Sequence, residues 1–168
     1  MSGRTALVTG AGSAIGAAVS RALSRAGAGV VLTDRDGQAL EALAADIGSA
    51  GGQAVAVPAD LANPVSVRRL VEQTLGSFGR LDAAFNHAEV GEVALAMKYE
   101  IPAMRHGGRV VNLAATACAH AAVAELTRRV ALDVAGSGVR IDAVAVGSEE
   151  DVATAVVWCV ARQVPIGR

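Results

Sequence analysis

Thr9-Gly10-Ala11-Gly12-Ser13-Ala14-Ile15-Gly16 decides how this chain folds. It follows the apolar run Thr5–Thr9 and precedes Ile15, Val19, Ala22 and Leu23, whose spacing is that of one helix face. A strand, a glycine turn and a helix in that order bring backbone N–H groups and the positive end of a helix dipole to one point, where a pyrophosphate can be held. Gly10 permits the tight turn, Gly16 lets helix and strand pack closely, and Gly12 with Ala14 keeps the turn free of bulky side chains. Such a turn can also serve only to reverse the chain, so its surroundings carry the rest of the reading.

Outward from the turn, strand-length apolar runs alternate with helix-period segments. Strands are predicted at Val30–Thr33, Ala54–Val57, Ala83–Asn86, Val110–Leu113 and Val139–Val146. Helical stripes run through Leu40, Leu43 and Ile47, through Val67, Leu70, Val71, Leu75 and Phe78, and through Val123, Leu126, Thr127, Val130 and Val134. Val93–Met104 reads as a helix broken near Pro102, and Val152–Val160 as a last helix. This order predicts an α/β fold: a doubly wound parallel sheet of about six strands, in a single domain over residues 1–168, with all strand C-termini on one edge.

Composition excludes other classes. The 168 residues suit one compact core, and a net charge of −1 offers no basic excess for nucleic acid or an anionic membrane. The chain is 52% hydrophobic, but no apolar run approaches the ~20 residues that span a bilayer, and the N-terminus lacks signal-peptide order. A cytoplasmic location is expected. Cys118 and Cys159 form no disulfide framework and read as small buried hydrophobes, while His87, His106 and His120 lack metal-ligand spacing. No metal site is expected.

Asp34 ends the second strand 18 residues after Gly16 and can accept hydrogen bonds from both ribose hydroxyls of an adenosine. A 2′-phosphate there would be repelled, and the adjacent Arg35 offsets only part of that repulsion. NAD is therefore expected in preference to NADP.

On these residues the sequence resembles the short-chain dehydrogenase/reductase family, whose domain is of Rossmann type. Thr9–Gly16 resembles the family's T-G-x-x-x-G-x-G turn, with Ala14 in place of its middle glycine. Asp60-Leu61 is similar to the acidic residue that meets the adenine, and Asn86-His87-Ala88-Glu89 to the N-N-A-G motif, with His87 and Glu89 as departures. Arg109–Ala115, the helix Val123–Val134 and Val139–Val144 follow in the family's order. The resemblance implies cofactor contacts from Gly10, Ser13, Ile15, Gly16, Asp34, Arg35, Asp60, Leu61, Asn86 and Ala88. It also implies hydride transfer between NAD(H) and a small-molecule alcohol or carbonyl substrate, and a homo-oligomer packed through the helices at Val93–Met104 and Val123–Val134.

The family's proton machinery is a tyrosine, a lysine four residues later that lowers its pKa, and a serine that orients the carbonyl. Tyr99 and Lys98 are this chain's only tyrosine and lysine, and they are sequence neighbours that precede the fifth strand. In the family's register Ala115 takes the serine position, Thr116 the tyrosine position and His120 the lysine position. His120, with an imidazole that titrates near working pH, and Thr116, with a hydroxyl, are the catalytic candidates. Their plainer reading is a helix-entry histidine and a strand-end threonine.

Connections after Ala88, Thr116 and Gly147 are short against the family pattern, and the final strand expected there is missing before Arg168. Three explanations fit: a reduced, catalytically inactive module for nucleotide binding or assembly, a diverged enzyme using other residues, or joined segments of a longer enzyme whose active-site loops are left out.

Overall fold

Ala6, Leu7 and Val8 of β1 (Thr5–Thr9) are completely buried, because strands flank β1 on both sides and helices cover both faces. In this computed structural model, which describes residues 1–104, 107–145 and 147–161, the chain continues through α1 (Ala14–Arg25), β2 (Gly29–Thr33), α2 (Gly37–Ser49), β3 (Gln53–Ala56) and α3 (Pro64–Phe78). Then follow β4 (Ala83–Ala88), α4 (Val90–Ala103), β5 (Arg109–Ala114), α5 (His120–Asp133), β6 (Arg140–Ala143) and α6 (Glu149–Ala161). The strands pair in parallel in the order β3-β2-β1-β4-β5-β6, so the doubly wound α/β sheet expected from the sequence is present with six strands.

Strand alternation divides the core in two. Val8, Val30, Leu32, Phe85 and Val111 pack with Val19 and Leu23 of α1, Leu40 of α2 and Val156 of α6. Leu7, Val31, Ala84 and Val110 face the other way, onto Leu70 of α3 and Val93 and Met97 of α4. Reversal of strand order between β1 and β4 opens a crevice at the C-terminal edge, the usual ligand position in such sheets.

Element ends differ from the sequence reading where side chains form caps or ladders. Glu89 and Glu92 close a capping box, so α4 starts at Val90 rather than Val93, and Pro102 sits in its final turn. β4 extends two residues beyond Asn86, pairing His87 with Leu113 and Ala88 with Ala114. β3 ends at Ala56, although the Val57 N–H still donates to the Leu32 carbonyl. β6 covers only Arg140–Ala143 of the expected Val139–Val146, and Val146, like His106, lies outside the described residues. Cys118 is exposed in the turn after β5 and Cys159 is half-buried, which corrects the expectation that both are buried.

Behind the crevice lies a buried polar network that the sequence reading missed. The Thr9 hydroxyl donates to Asn86 Oδ1 at 3.4 Å, and Asn86 Nδ2 donates to Glu100 Oε2 at 2.9 Å and to Asn112 Oδ1 at 3.2 Å. Asn112 Nδ2 donates to Thr127 Oγ1 at 3.0 Å, joining α5 to the same chain of bonds. Glu100 is completely buried and its Oε1 has no partner, so burial pushes its carboxyl up to about 7, the Asn86 bond opposing only in part. The folded protein thus holds a proton that the unfolded chain releases above the ordinary value of 4.5. This contribution to stability is full below that value and is lost as pH rises to about 7. Glu100→Gln is expected to match the parent near pH 4 and to exceed it at pH 8, by on the order of 3 kcal/mol in thermal denaturation.

Candidate functional site

Gly10 leaves β1 with φ at 66°, a left-handed conformation, and a side-chain carbon there would lie 2.5 Å from the His87 carbonyl oxygen. A side-chain carbon on Gly16 would run into the Gly10 carbonyl. The turn is therefore pressed between β4 below and α1 behind, and its outer side is left open. Ser13 caps α1: its Oγ accepts from the Gly16 N–H at 3.0 Å and donates to the Gly10 carbonyl at 2.7 Å. The N–H groups of Ala14 and Ile15, in the first helical turn, have no carbonyl to reach within the helix.

Asp34 follows β2 and sits across the turn. Its Oδ2 accepts from the Gly12 N–H at 3.1 Å and its Oδ1 from the Arg35 N–H at 2.7 Å, which fixes the carboxylate at the rim. The Arg35 guanidinium lies 3.0 Å from Asp60 and 3.6 Å from Glu92. The Ala62 N–H, and after it Arg35, holds the Asp60 carboxyl below its usual range.

A cavity of about 310 Å³ gathers Gly10, Ser13, Asp34, Arg35, Leu61 and Ala88, together with Ala59, His87, Glu89, Glu92 and Ala115. Beside it an open groove of about 720 Å³ is lined by Ser13, Ala14, Ile15, His87, Gly147, Ser148, Glu149 and Glu150. Six of the ten residues proposed for cofactor contact thus line one cavity, with Ile15 in the adjoining groove and Gly16 beneath the turn. Asp60 stands behind Arg35, and the Asn86 side chain points into the buried network. Ala115 occupies the wall at the position compared with the family's serine. Thr116 is exposed and His120 is half-buried at the start of α5, and neither lines these two cavities.

His87, in the sequence a departure from the family's N-N-A-G motif, belongs to β4 and forms a wall common to both cavities. Its Nδ1 is 3.2 Å from Ser13 Oγ. Burial lowers the imidazole below its ordinary value, and the charge of Asp34 opposes that shift. Only β4 pairing puts the side chain there, so periodicity alone does not reveal it.

This arrangement fits the adenosine and pyrophosphate parts of a dinucleotide. A glycine turn lies at the α1 N-terminus, a carboxylate fixed 3.1 Å from the Gly12 N–H stands across it, and Ala59, Leu61 and Ala88 supply apolar walls. Among the described residues no tyrosine or lysine lines either cavity. Tyr99 is half-buried on α4, with the Lys98 ammonium 5.8 Å from its ring centre, away from both cavities. Among the described residues no helix is long and apolar enough to cross a membrane, and no cluster of metal-ligating side chains occurs.

Comparison with known proteins agrees with this geometry. The 1-deoxy-11-beta-hydroxypentalenate dehydrogenase of Streptomyces exfoliatus is 45% identical over 103 residues, which cover 61% of this chain and 37% of that protein. The 2,5-dichloro-2,5-cyclohexadiene-1,4-diol dehydrogenase of Sphingobium indicum is 34% identical, with 88% of this chain and 73% of the relative covered. Its alignment runs over 186 positions, more than the 168 residues of this chain, so the relative carries segments that this chain lacks. The solved structure of a metagenomic short-chain oxidoreductase in complex with NADP is 27% identical and superposes with a TM-score of 0.87, covering 96% of this chain and 91% of that one. The family model for short chain dehydrogenases matches residues 4–106, and with the six-stranded order and the glycine turn it follows that the chain belongs to the short-chain dehydrogenase/reductase family of NAD(P)-binding oxidoreductases.

Proposed function

We propose that the chain binds NAD(H) at the Gly10–Gly16 turn and acts as an oxidoreductase on a small-molecule alcohol or carbonyl substrate. The observation that carries this reading is the meeting, in one cavity, of the Ser13-capped end of α1 and the Asp34 carboxylate. A bound nicotinamide would supply or accept the hydride. The chain's own part is to hold the pyrophosphate on the free N–H groups of Ala14 and Ile15, to take the ribose hydroxyls on Asp34, and to enclose the adenine with Leu61 and Ala88. Commitment of Arg35 to Asp60 and Glu92 supports NAD over NADP, because its charge is not free to neutralise a 2′-phosphate beside Asp34.

Ala115 in the cavity wall favours a second reading, in which a reduced module holds the nucleotide or a partner without turnover. A methyl group can neither orient a carbonyl nor move a proton. His120 as acid or base and Thr116 as an orienting hydroxyl remain the proposed catalytic residues if the chain is active. They would have to approach the groove, since they stand outside its walls.

Asp34→Ala is expected to weaken NAD⁺ binding by roughly tenfold or more in calorimetry, the scale of losing hydrogen bonds to a charged acceptor. Unchanged affinity would remove the ribose role. The two readings separate in a stoichiometric mixture of protein, NAD⁺ and a secondary alcohol. Hydride transfer in one turnover supports the enzyme, whereas stabilisation by about 2.7 kcal/mol at one hundred times Kd without transfer supports the module.

We also propose that the chain forms a homo-oligomer. Leu132 is 65% exposed on α5, whose Val123 and Thr127 are buried on the sheet side, and a second copy would shield it. Sedimentation equilibrium at micromolar concentration is expected to give at least a dimer, and a monomer would overturn the proposal.

A further inference from the structure

We propose that His87 is the charge-matching residue for the dinucleotide: it takes up a proton as a pyrophosphate settles on the α1 N-terminus, so that binding strengthens as pH falls. The inference rests on the nucleotide-binding reading above and adds a linked proton to it.

The hydrogen bonds around Ser13 determine which imidazole nitrogen is free. The single Ser13 hydroxyl proton is donated to the Gly10 carbonyl at 2.7 Å, and the oxygen accepts the Gly16 N–H at 3.0 Å. With that proton spent, the 3.2 Å contact to His87 Nδ1 is a bond in which Nδ1–H donates to Ser13 Oγ. The neutral ring therefore carries its hydrogen on Nδ1. Its lone pair lies on Nε2, which is the atom that can accept a proton without disturbing the helix cap.

Charge around the ring makes that proton useful. From the end of β2, Asp34 faces His87, with Arg35 next to it; from the start of α4 come Glu89 and Glu92; and across the groove, at the start of α6, stand Glu149 and Glu150. The glycine turn contributes only the uncharged Ser13, and Phe85 on the same strand presents a ring 6.3 Å away. Among the described residues Arg35 is the one guanidinium on these walls, and it is paired with Asp60 and Glu92. A pyrophosphate brings two further negative charges to this acidic rim. An imidazolium on the wall common to both cavities offsets them, and among the described residues no other side chain lining the two cavities can gain positive charge near neutral pH.

In the free protein, burial favours the neutral ring and the charge of Asp34 opposes it. The bound anion tips the balance towards the charged form, and by linkage a ligand that promotes proton uptake binds more tightly as the proton becomes available.

The test is calorimetry of NAD⁺ binding to the whole chain at pH 7 in two buffers of different ionisation enthalpy. Wild-type protein is expected to take up a substantial fraction of one proton per nucleotide, and its affinity to rise severalfold from pH 8 to pH 6, bounded at about tenfold per unit for one linked proton. His87→Asn is expected to lose the uptake and the slope. Because that variant disturbs the Ser13 cap, NMR titration of the wild-type imidazoles, with and without NAD⁺, provides an independent reading: the His87 midpoint should rise on binding. Binding of NAD⁺ without proton uptake, or the same uptake in a folded His87→Asn, overturns this inference and leaves nucleotide binding intact. Failure of NAD⁺ to bind at any pH overturns both.

Discussion

The chain crosses itself at one point with no room for a side chain, and the site depends on that crossing. Gly10 passes over the His87 carbonyl while Gly16 rests on the Gly10 carbonyl, so β1, β4 and α1 are locked together through backbone atoms. Ser13 completes the lock by bonding both glycines. Any side chain at Gly10 or Gly16 would push α1 away from the sheet and turn its first N–H groups from the crevice. The same closeness brings His87 to Ser13. Packing of the turn and chemistry of the site are therefore one constraint.

The interior behind this edge is less economical than an apolar one. Thr9, Asn86, Glu100, Asn112 and Thr127 tie β1, β4, β5, α4 and α5 into a connected network, but Glu100 keeps one oxygen without a partner. A protonated acid resolves most of the cost at low pH, and a carboxylate does not at high pH. Polar groups under the crevice restrict how β4 and β5 slide against each other, which holds the His87 side chain at the rim. Stability thus responds to protons through Glu100 of α4, which bonds Asn86 directly beside His87 on β4.

Connections at the active edge are shortened to the point where helices begin almost at the strand ends. Glu89 alone separates β4 from α4, and Ala115 with Thr116 separates β5 from the short turn before α5. The alignment with the Sphingobium relative, longer than this chain, requires segments in that protein that this chain lacks. The turn proposed to hold the nucleotide is built from β1, β2 and α1, at the sheet edge where the loops after β4, β5 and β6 also lie.

By itself the sequence determined the sheet, its helices and the glycine turn, since each depends on local spacing: period-two and helical apolar patterns, glycines at a strand end, and an acidic residue at the next one. Gly10, Ser13, Asp34 and Leu61 were legible as neighbours because a doubly wound sheet brings successive strand ends to one edge. Only the tertiary structure decided the buried place of Glu100, the half-buried histidine at the cavity wall and the positions of Thr116 and His120 outside it. Those depend on which strands pair and in what register. Asn86 and His87 are adjacent in sequence, yet pleating sends the first into the network and the second to the rim. Environment then sets the chemistry of the two titratable groups: burial pushes the Glu100 carboxyl, bonded by the Asn86 amide, up to about 7, and the His87 imidazole against the capped helix end keeps a lone pair free.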